Sequence, residues 1–337
     1  MALDYDKRLE NVRNRRFDRT MNESLLTKSF SDINVPKDLK YLAESMTPIP
    51  ARSTKLTIEA ANRVQGHLEK GLTLPLSRAY RTQGSVMSNT HIKASDFDFL
   101  TLIDRYHYTG PGVPVKNPYQ GNPVDDLRQL RQQIVDIMTD TYDEVDDSHE
   151  KCISIFNKSL NRKVDIVPAY WYNTKQFEDT NNEYFRGVKF KADQQEPDYP
   201  FAHVFEVNSK GNATNDGSRM AIRLLKTFKE DSAITLDHLS SFQLTTIVHA
   251  MDNNDLFYEK GNELKIALAI SLQLNRMLID ADYRKSLKGP NGIEQPFEND
   301  DSLPNIKRIK GDLDTLIADA DTNLEKAMRS RRLLLTY

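Results

Sequence analysis

The chain changes its secondary-structure pattern near residue 211, and this change constrains the fold more than any other feature. Before it, five short segments, most of them rich in Val, Ile, Phe or Tyr, are typical of β-strands: residues 77–83, 97–104, 151–156, 163–170 and 202–207. After it, the periodic segments are typical of helices: residues 218–229, 240–251, 256–279 and 313–335. We therefore expect an α+β fold in two domains, 1–211 and 212–337, with a cleft between them.

Two helices are predicted within the first domain, beside an N-terminal segment that is mostly polar and charged. One covers residues 53–71, begins at Ser53 as the N-cap and lies across a mixed sheet. The other follows Asn122, where Pro123 occupies the first helical position. The apolar stripes that predict them are Leu56, Ala60, Val64 and Leu68 in the first helix, and Leu127, Leu130, Ile134 and Met138 in the second.

Composition excludes several classes of protein. The 46 basic and 49 acidic residues give a net charge of −3, so no large nucleic-acid partner is expected. A single cysteine, Cys152, excludes a disulfide framework and any zinc site with more than one thiolate. No segment approaches about 20 consecutive apolar residues and the start lacks the apolar stretch of a signal peptide, so we expect a cytoplasmic protein without a membrane partner.

Acidic residues in two predicted strands suggest a metal site. Asp96 and Asp98 alternate with Phe97 and Phe99, so both carboxylates share one face while the rings enter the core. Asp165 lies between apolar neighbours of another strand. Clustered carboxylates repel one another unless a cation lies between them, and Mg²⁺ prefers such oxygen ligands together with substrate phosphates. Three of them suit a site with two Mg²⁺ ions, or Mn²⁺ as an alternative, that catalyses phosphoryl transfer.

A Gly-Ser pair precedes the first two acids by eleven residues. Gly84 allows a phosphate to approach the backbone, and the Ser85 hydroxyl can bind a phosphate oxygen. Gln83, just before them, is a further candidate for nucleotide binding. A bare Asp-x-Asp strand is usually a solvated edge, but Gly84-Ser85 on one side and Asp165 on the other favour the catalytic interpretation.

With this triad the chain resembles the nucleotidyltransferase superfamily of polymerase-β type. It more closely resembles the cGAS/DncV-like nucleotidyltransferases, the CD-NTases of bacterial anti-phage (CBASS) systems. The closer resemblance rests on Arg223-Leu224-Leu225-Lys226 and on Asp237-His238-Leu239-Ser240-Ser241-Phe242 in the helical half. It implies a polymerase-β-like core followed by a helical domain. It also implies that Lys226, Ser241 and Phe242 bind the nucleotide.

Some of these residues have alternative interpretations. Arg219 and Arg223 share a helix face with Lys226 and are secondary candidates for phosphate binding, but a basic stripe is often just a solvated face. Phe242 stands where the family commonly has tyrosine, which keeps a ring for base stacking. It could instead be a core residue packed with Ile247 and Val248.

The resemblance implies an Mg²⁺-dependent enzyme that condenses NTPs, ATP or GTP first among them, into a cyclic di- or trinucleotide and releases pyrophosphate. The product would activate a downstream effector, and a regulatory protein could act on the basic and apolar tail, Arg329–Tyr337. Two alternatives stay open at this point. One is nucleotide transfer onto a protein or RNA acceptor, and the other is a nucleotide-binding module without catalysis.

Overall fold

The computed structural model describes residues 2–16, 35–93, 97–115, 118–193 and 196–334, with side chains described as far as residue 323. Its helices are α1 (Tyr5–Arg16), α2 (Lys37–Met46), α3 (Ala51–Gly71), α4 (Pro123–Thr141), α5 (Lys175–Thr180), α6 (Pro200–Ala213), α7 (Gly217–Glu230), α8 (Ser241–His249), α9 (Asn253–Leu256), α10 (Glu263–Ile279), α11 (Ala281–Ser286) and α12 (Leu303–Leu334). Its strands are β1 (Arg78–Gln83), β2 (Asp98–Thr109), β3 (Val145–Asp146), β4 (Ile153–Asn157), β5 (Arg162–Asn173) and β6 (Arg186–Lys189). In the part of the chain that is described, no helix has the length and apolar character needed to cross a membrane.

The chain forms two compact units. Ile49–Glu206 make up the sheet unit, and Met1–Pro48 together with Val207–Tyr337 make up the helical unit. The predicted boundary at residue 211 lies close to the observed one, but the N-terminal segment belongs to the helical unit and not to the α/β half. The physical reason is burial: Val12, Tyr41 and Met46 of α1 and α2 pack into the same apolar core as Phe228 of α7.

The sheet is mixed, as predicted. Its strand order is β1-β2-β5-β4-β3, and β6 pairs with β5 as well. The pair β2–β5 is parallel, whereas β1–β2, β4–β5, β3–β4 and β5–β6 are antiparallel. The long strands β2 and β5 are therefore neighbours at the centre of the sheet.

Helices α3 and α4 cover one face of the sheet through the predicted stripes. Val64 and Leu68 of α3 and Ile134 and Met138 of α4 are completely buried against the strands. The Asn122 cap is confirmed, because its side chain accepts hydrogen bonds from the amides of Val124 and Asp125.

The Ser53 cap is wrong. Helix α3 begins at Ala51 after Pro50, and Ser53 is buried within its first turn. There its hydroxyl accepts a hydrogen bond of 2.8 Å from the fully buried guanidinium of Arg162. A long-range partner on β5, invisible in the local sequence, thus takes the group that would have capped the helix.

The predicted strand at residues 202–207 is also wrong, because this segment lies inside helix α6. Its alternation of apolar and polar residues is short and ambiguous between the two periods. In the helix Ala202 and Val207 are buried, while Phe205 is exposed. Pro200 occupies the first position of α6, a position that favours a helix start.

Candidate active site

Four neighbouring strands place one residue each in a single row across the sheet. Gln83 of β1 is the partner of Asp98 on β2, Asp98 is the partner of Asp165 on β5, and Asp165 is the partner of Ser154 on β4. The Asp165 amide donates a 2.8 Å hydrogen bond to the Phe97 carbonyl, which fixes this register. Residues paired in this way have side chains on the same face, with strands about 4.8 Å apart. The fold therefore brings Gln83, Asp98 and Asp165 together, and it adds Ser154.

Gly84 lies directly against one of these carboxylates. Its backbone has φ of +84°, a left-handed conformation that L-residues rarely adopt. A Cβ atom built at Gly84 would lie 2.3 Å from Asp98 Oδ2. Two features therefore require glycine at this position: the left-handed backbone conformation, and the Asp98 carboxylate, which occupies the space that a Cβ atom would need.

Asp96 lies outside the described residues, so its predicted place beside Asp98 stays a prediction. Within the described residues no group of three or more His, Cys, Asp or Glu side chains is arranged to hold a metal ion. The alternation that predicts the carboxylate pair holds where it can be followed, because Phe97 and Phe99 are buried in the helix-covered core. Asp98 accordingly lies on the opposite face.

The Asp165 carboxylate is held by two donors. The Ser154 hydroxyl donates a hydrogen bond of 2.5 Å to Asp165 Oδ1, and the Lys163 ammonium lies 3.2 Å from the same oxygen. The side chain of Asp165 is 21% exposed and that of Lys163 is 42% exposed. A depression of about 420 Å³ opens beside them, lined by His149, Glu150, Lys151, Cys152, Ser154, Lys163 and Asp165. Asp165 thus combines a fixed position with access from outside.

The negative charge of this face affects the pKa of the Cys152 thiol. Burial raises the pKa of its thiol, and the nearby carboxylates of Asp165 and Asp98 raise that pKa further. The thiol therefore stays protonated at neutral pH. A protonated, half-buried thiol is neither a nucleophile nor a ready metal ligand.

The Gly84-Ser85 segment forms a compact turn. The Ser85 carbonyl accepts hydrogen bonds from the Thr90 amide at 2.9 Å and from the Ser88 hydroxyl at 3.4 Å. Asn89 in this turn adopts a left-handed conformation with φ of 53°. Its amide side chain suits that conformation better than most residues would. The turn holds Ser85 at the end of β1, next to the row that contains Asp98.

In the helical unit, the guanidinium groups of α7 have partners within the unit. Arg223 is fully buried and binds the Met46 carbonyl at 2.6 Å and Asp216 Oδ2 at 2.7 Å. Its burial lowers the pKa of the guanidinium. Arg219 binds Asp216 at 3.2 Å and also donates to Asn208 and Asn212. These contacts favour a structural role for both arginines over the predicted binding of phosphate.

The other nucleotide-binding candidates of the helical unit lie in different environments. Lys226 is buried on α7. Ser241 is exposed as the first residue of α8, next to Ser240, which is the cap of that helix. The half-buried ring of Phe242 touches Gly289, where an added Cβ would lie 2.4 Å from its tip. Phe242 lies outside the apolar core formed by the described residues, which argues against the alternative core role. Its stacking role, like the roles of Lys226 and Ser241, stays a prediction.

The chain is similar to known cyclic dinucleotide synthases. It is 30% identical over 329 residues to the cyclic dinucleotide synthase CdnE of Yersinia aleksiciae, covering 92% of this chain and 86% of that protein. It is 28% identical over 324 residues to a c-di-GMP synthase of Flavobacteriaceae sp., covering 86% of each. The chain belongs to the CD-NTase family. No protein-family model matches it.

The fold of this CD-NTase agrees with that assignment. The structure of the STING-associated CdnE c-di-GMP synthase from Capnocytophaga granulosa superposes with a TM-score of 0.79 at 27% identity, over 95% of this chain and 99% of that one. The predicted polymerase-β-like α+β fold is thereby confirmed. As a CD-NTase the protein is a nucleotidyltransferase, so the prediction of an enzyme is confirmed as well.

One residue of the row was missed by sequence reasoning. Ser154 interrupts an apolar segment between Ile153 and Ile155, and both isoleucines are buried in the helix-covered core. This is the same pattern that singles out Asp165 between Val164 and Ile166. The signal was therefore present, but only the pairing of β4 with β5 gives it a meaning.

Proposed function

We propose that this CD-NTase condenses NTPs into a cyclic dinucleotide in an Mg²⁺-dependent reaction that releases pyrophosphate. The observation that carries the proposal is the pairing of Asp98 with Asp165 on neighbouring parallel strands, with Gly84 packed against the Asp98 carboxylate. Two neighbouring carboxylates on an accessible face form a site where a divalent cation can bind between them.

The residues at this face fit Mg²⁺, because Asp98 and Asp165 offer the hard oxygen ligands that this ion prefers. We infer that Asp96, Asp98 and Asp165 hold two ions. When bound, such ions lower the pKa of the attacking hydroxyl and stabilise charge on the leaving pyrophosphate.

The remaining roles fall to the side chains of the chain itself. The turn after Gly84 offers backbone close to the phosphates, and we propose that the Ser85 hydroxyl donates to a phosphate oxygen. Lys226 is proposed to neutralise the triphosphate, Ser241 to donate to it, and Phe242 to stack on a base.

The names of the relatives support a particular product. The Flavobacteriaceae sp. and Capnocytophaga granulosa proteins are named c-di-GMP synthases, and the latter is described as STING-associated. We therefore propose GTP as the preferred substrate and cyclic di-GMP as the product. The activated effector would be a STING-type receptor in an anti-phage response. A cytoplasmic location fits an enzyme that consumes the cellular NTP pool.

The test is an incubation of the purified full chain with Mg²⁺ and all four NTPs, followed by mass spectrometry of the products. The expected product is cyclic di-GMP, formed together with pyrophosphate in a 1:2 ratio. The variant D165N serves as the inactive control, and a sample with EDTA tests the metal requirement.

Other outcomes would overturn parts of the proposal. A cyclic dinucleotide containing adenine or uracil would refute the choice of GTP and leave the reaction class intact. Activity that persists in EDTA would refute the Mg²⁺ requirement. Absence of any cyclic product from wild-type protein, in the presence of the partner effector as well as alone, would refute the reaction itself.

A further inference from the structure

The row described above consists of Gln83, Asp98, Asp165 and Ser154. Ser154 is its only member that is neither a carboxylate nor a residue predicted from the sequence to bind the nucleotide. It is 5% exposed, and its hydroxyl reaches Asp165 Oδ1 at 2.5 Å. Its strand, β4, is paired on one side with β5 and on the other with β3. The backbone that carries this hydroxyl is thus held from both sides.

We propose that Ser154 is a positioning residue that sets the orientation of the Asp165 carboxylate for metal binding. This inference rests on the proposed function, in which Asp165 is a metal ligand. A hydroxyl that donates to Oδ1 restricts rotation of the carboxylate about its last bond. The lone pairs not used by this hydrogen bond then point in one direction.

A neutral donor is suited to this task. The Lys163 ammonium also lies near Asp165 Oδ1, but it brings a positive charge that would repel a divalent cation. Its side chain is 42% exposed, so solvent weakens its hold on the carboxylate. The serine hydroxyl orients the carboxylate and leaves its full negative charge available. Loss of a hydrogen-bond donor that orients a metal ligand typically changes metal affinity by about ten- to a hundred-fold.

The main experiment compares Ser154→Val with Ser154→Thr in the full chain. Both residues are β-branched and suit a strand, but only threonine keeps the hydroxyl. Binding of Mn²⁺ alone is measured by the EPR signal of the free ion. We expect Ser154→Val to weaken Mn²⁺ binding by about ten- to a hundred-fold, and Ser154→Thr to stay within about threefold of wild type.

Thr101→Val is the matched control. Thr101 is a fully buried residue of β2, on the face that α3 and α4 cover, and its hydroxyl has no hydrogen-bond partner among the described residues. The Thr101→Val substitution removes a hydroxyl from the same sheet at a position that does not contact Asp165. We expect Mn²⁺ affinity to stay at the wild-type value.

A kinetic measurement separates positioning from a general loss of structure. In Ser154→Val, the Mg²⁺ concentration for half-maximal rate should rise about ten-fold or more, while kcat at saturating Mg²⁺ recovers to near that of Ser154→Thr. A defect of folding would lower kcat at every Mg²⁺ concentration, and this result would overturn the inference.

D165N distinguishes the two proposals. If D165N weakens Mn²⁺ binding and Ser154→Val does not, the positioning role is wrong and the metal site stands. If D165N leaves Mn²⁺ binding unchanged, Asp165 is not a ligand, and both its metal role and the positioning role of Ser154 are wrong, whereas the proposed reaction is judged by the product assay. Equal affinities of Ser154→Val and Ser154→Thr would also refute the role of the hydroxyl.

Discussion

The carboxylates of the sheet unit and the guanidinium groups of α7 differ in how their charge is balanced. Asp98 and Asp165 are neighbours of like charge on an accessible face, where the partly exposed Lys163 ammonium lies 3.2 Å from Asp165. Arg219 and Arg223 share the opposite charge of Asp216, and their side chains are 11% and 0% exposed. Like charges side by side on an accessible face favour a ligand site, whereas ion pairs of buried guanidinium groups favour a structural role. Both groups belonged to sequence motifs, so a motif alone does not separate these roles.

The largest effect should come from Asp98→Asn. The variant keeps the shape of the side chain and removes its charge, so several kcal/mol of transition-state stabilisation are lost. We expect a rate of pyrophosphate release about a hundred- to a thousand-fold lower, with an unchanged melting temperature. The matched control is Asp104→Asn on the same strand, which should stay within about threefold of wild type. A comparable loss in both variants would show that the effect is not specific to the row.

The second-largest effect on activity should come from Gly84→Ala. The new Cβ would lie 2.3 Å from Asp98 Oδ2 and would displace that carboxylate. A displacement of a catalytic group by about 1 Å lowers the rate by about a hundred-fold. The control is Gly261→Ala, since Gly261 has φ of +94° but nothing within 4 Å of its added Cβ. Both variants should lose about 1–2 kcal/mol of unfolding free energy, but only Gly84→Ala should lose activity. Equal steady-state activities of Gly84→Ala and Gly261→Ala would show that Gly84 is not needed to keep the Asp98 carboxylate in place.

Phe242→Ala should weaken GTP binding by about ten- to a hundred-fold, because a base loses its stacking partner. Calorimetric titration with a non-hydrolysable GTP analogue measures the affinity. Gly289→Ala is a second variant, because its Cβ would push the ring without removing it. A large fall in melting temperature with unchanged affinity in Phe242→Ala would assign this ring to packing.

The smallest effect on nucleotide binding should come from Arg223→Met. The change leaves the Met46 carbonyl without this partner and Asp216 with Arg219 alone, so the unfolding free energy should fall by about 1–3 kcal/mol. Affinity for the GTP analogue should stay within about twofold in the folded protein. Lys226→Met, three residues further along the same helix, should show the reverse pattern. A loss of affinity in Arg223→Met at constant stability would restore its predicted role in binding.

Much of the fold could be predicted because its signals are local. The Asn122-Pro123 start of α4 and the apolar stripes of α3 and α4 depend on residues within one or two turns. Strand β2 was predicted shorter than it is, since its C-terminal half contains polar residues. Strand β5 was also predicted too short, because its last three residues pair with β6, which the sequence did not predict. The short strands β3 and β6 were missed, because their few residues form strands only by pairing with longer neighbours.

The sequence by itself determined which side of each strand carries a carboxylate, because side chains alternate with a period of two and the apolar neighbours must be buried. It also determined that the second half is helical. Only the tertiary structure decided that Asp98, Asp165 and Ser154 stand in one row, since strand register joins residues far apart in the chain. It likewise decided that Ser53 and Arg223 form hydrogen bonds with other elements of their own units. Local patterns fix the direction of a side chain, and long-range pairing fixes what it meets.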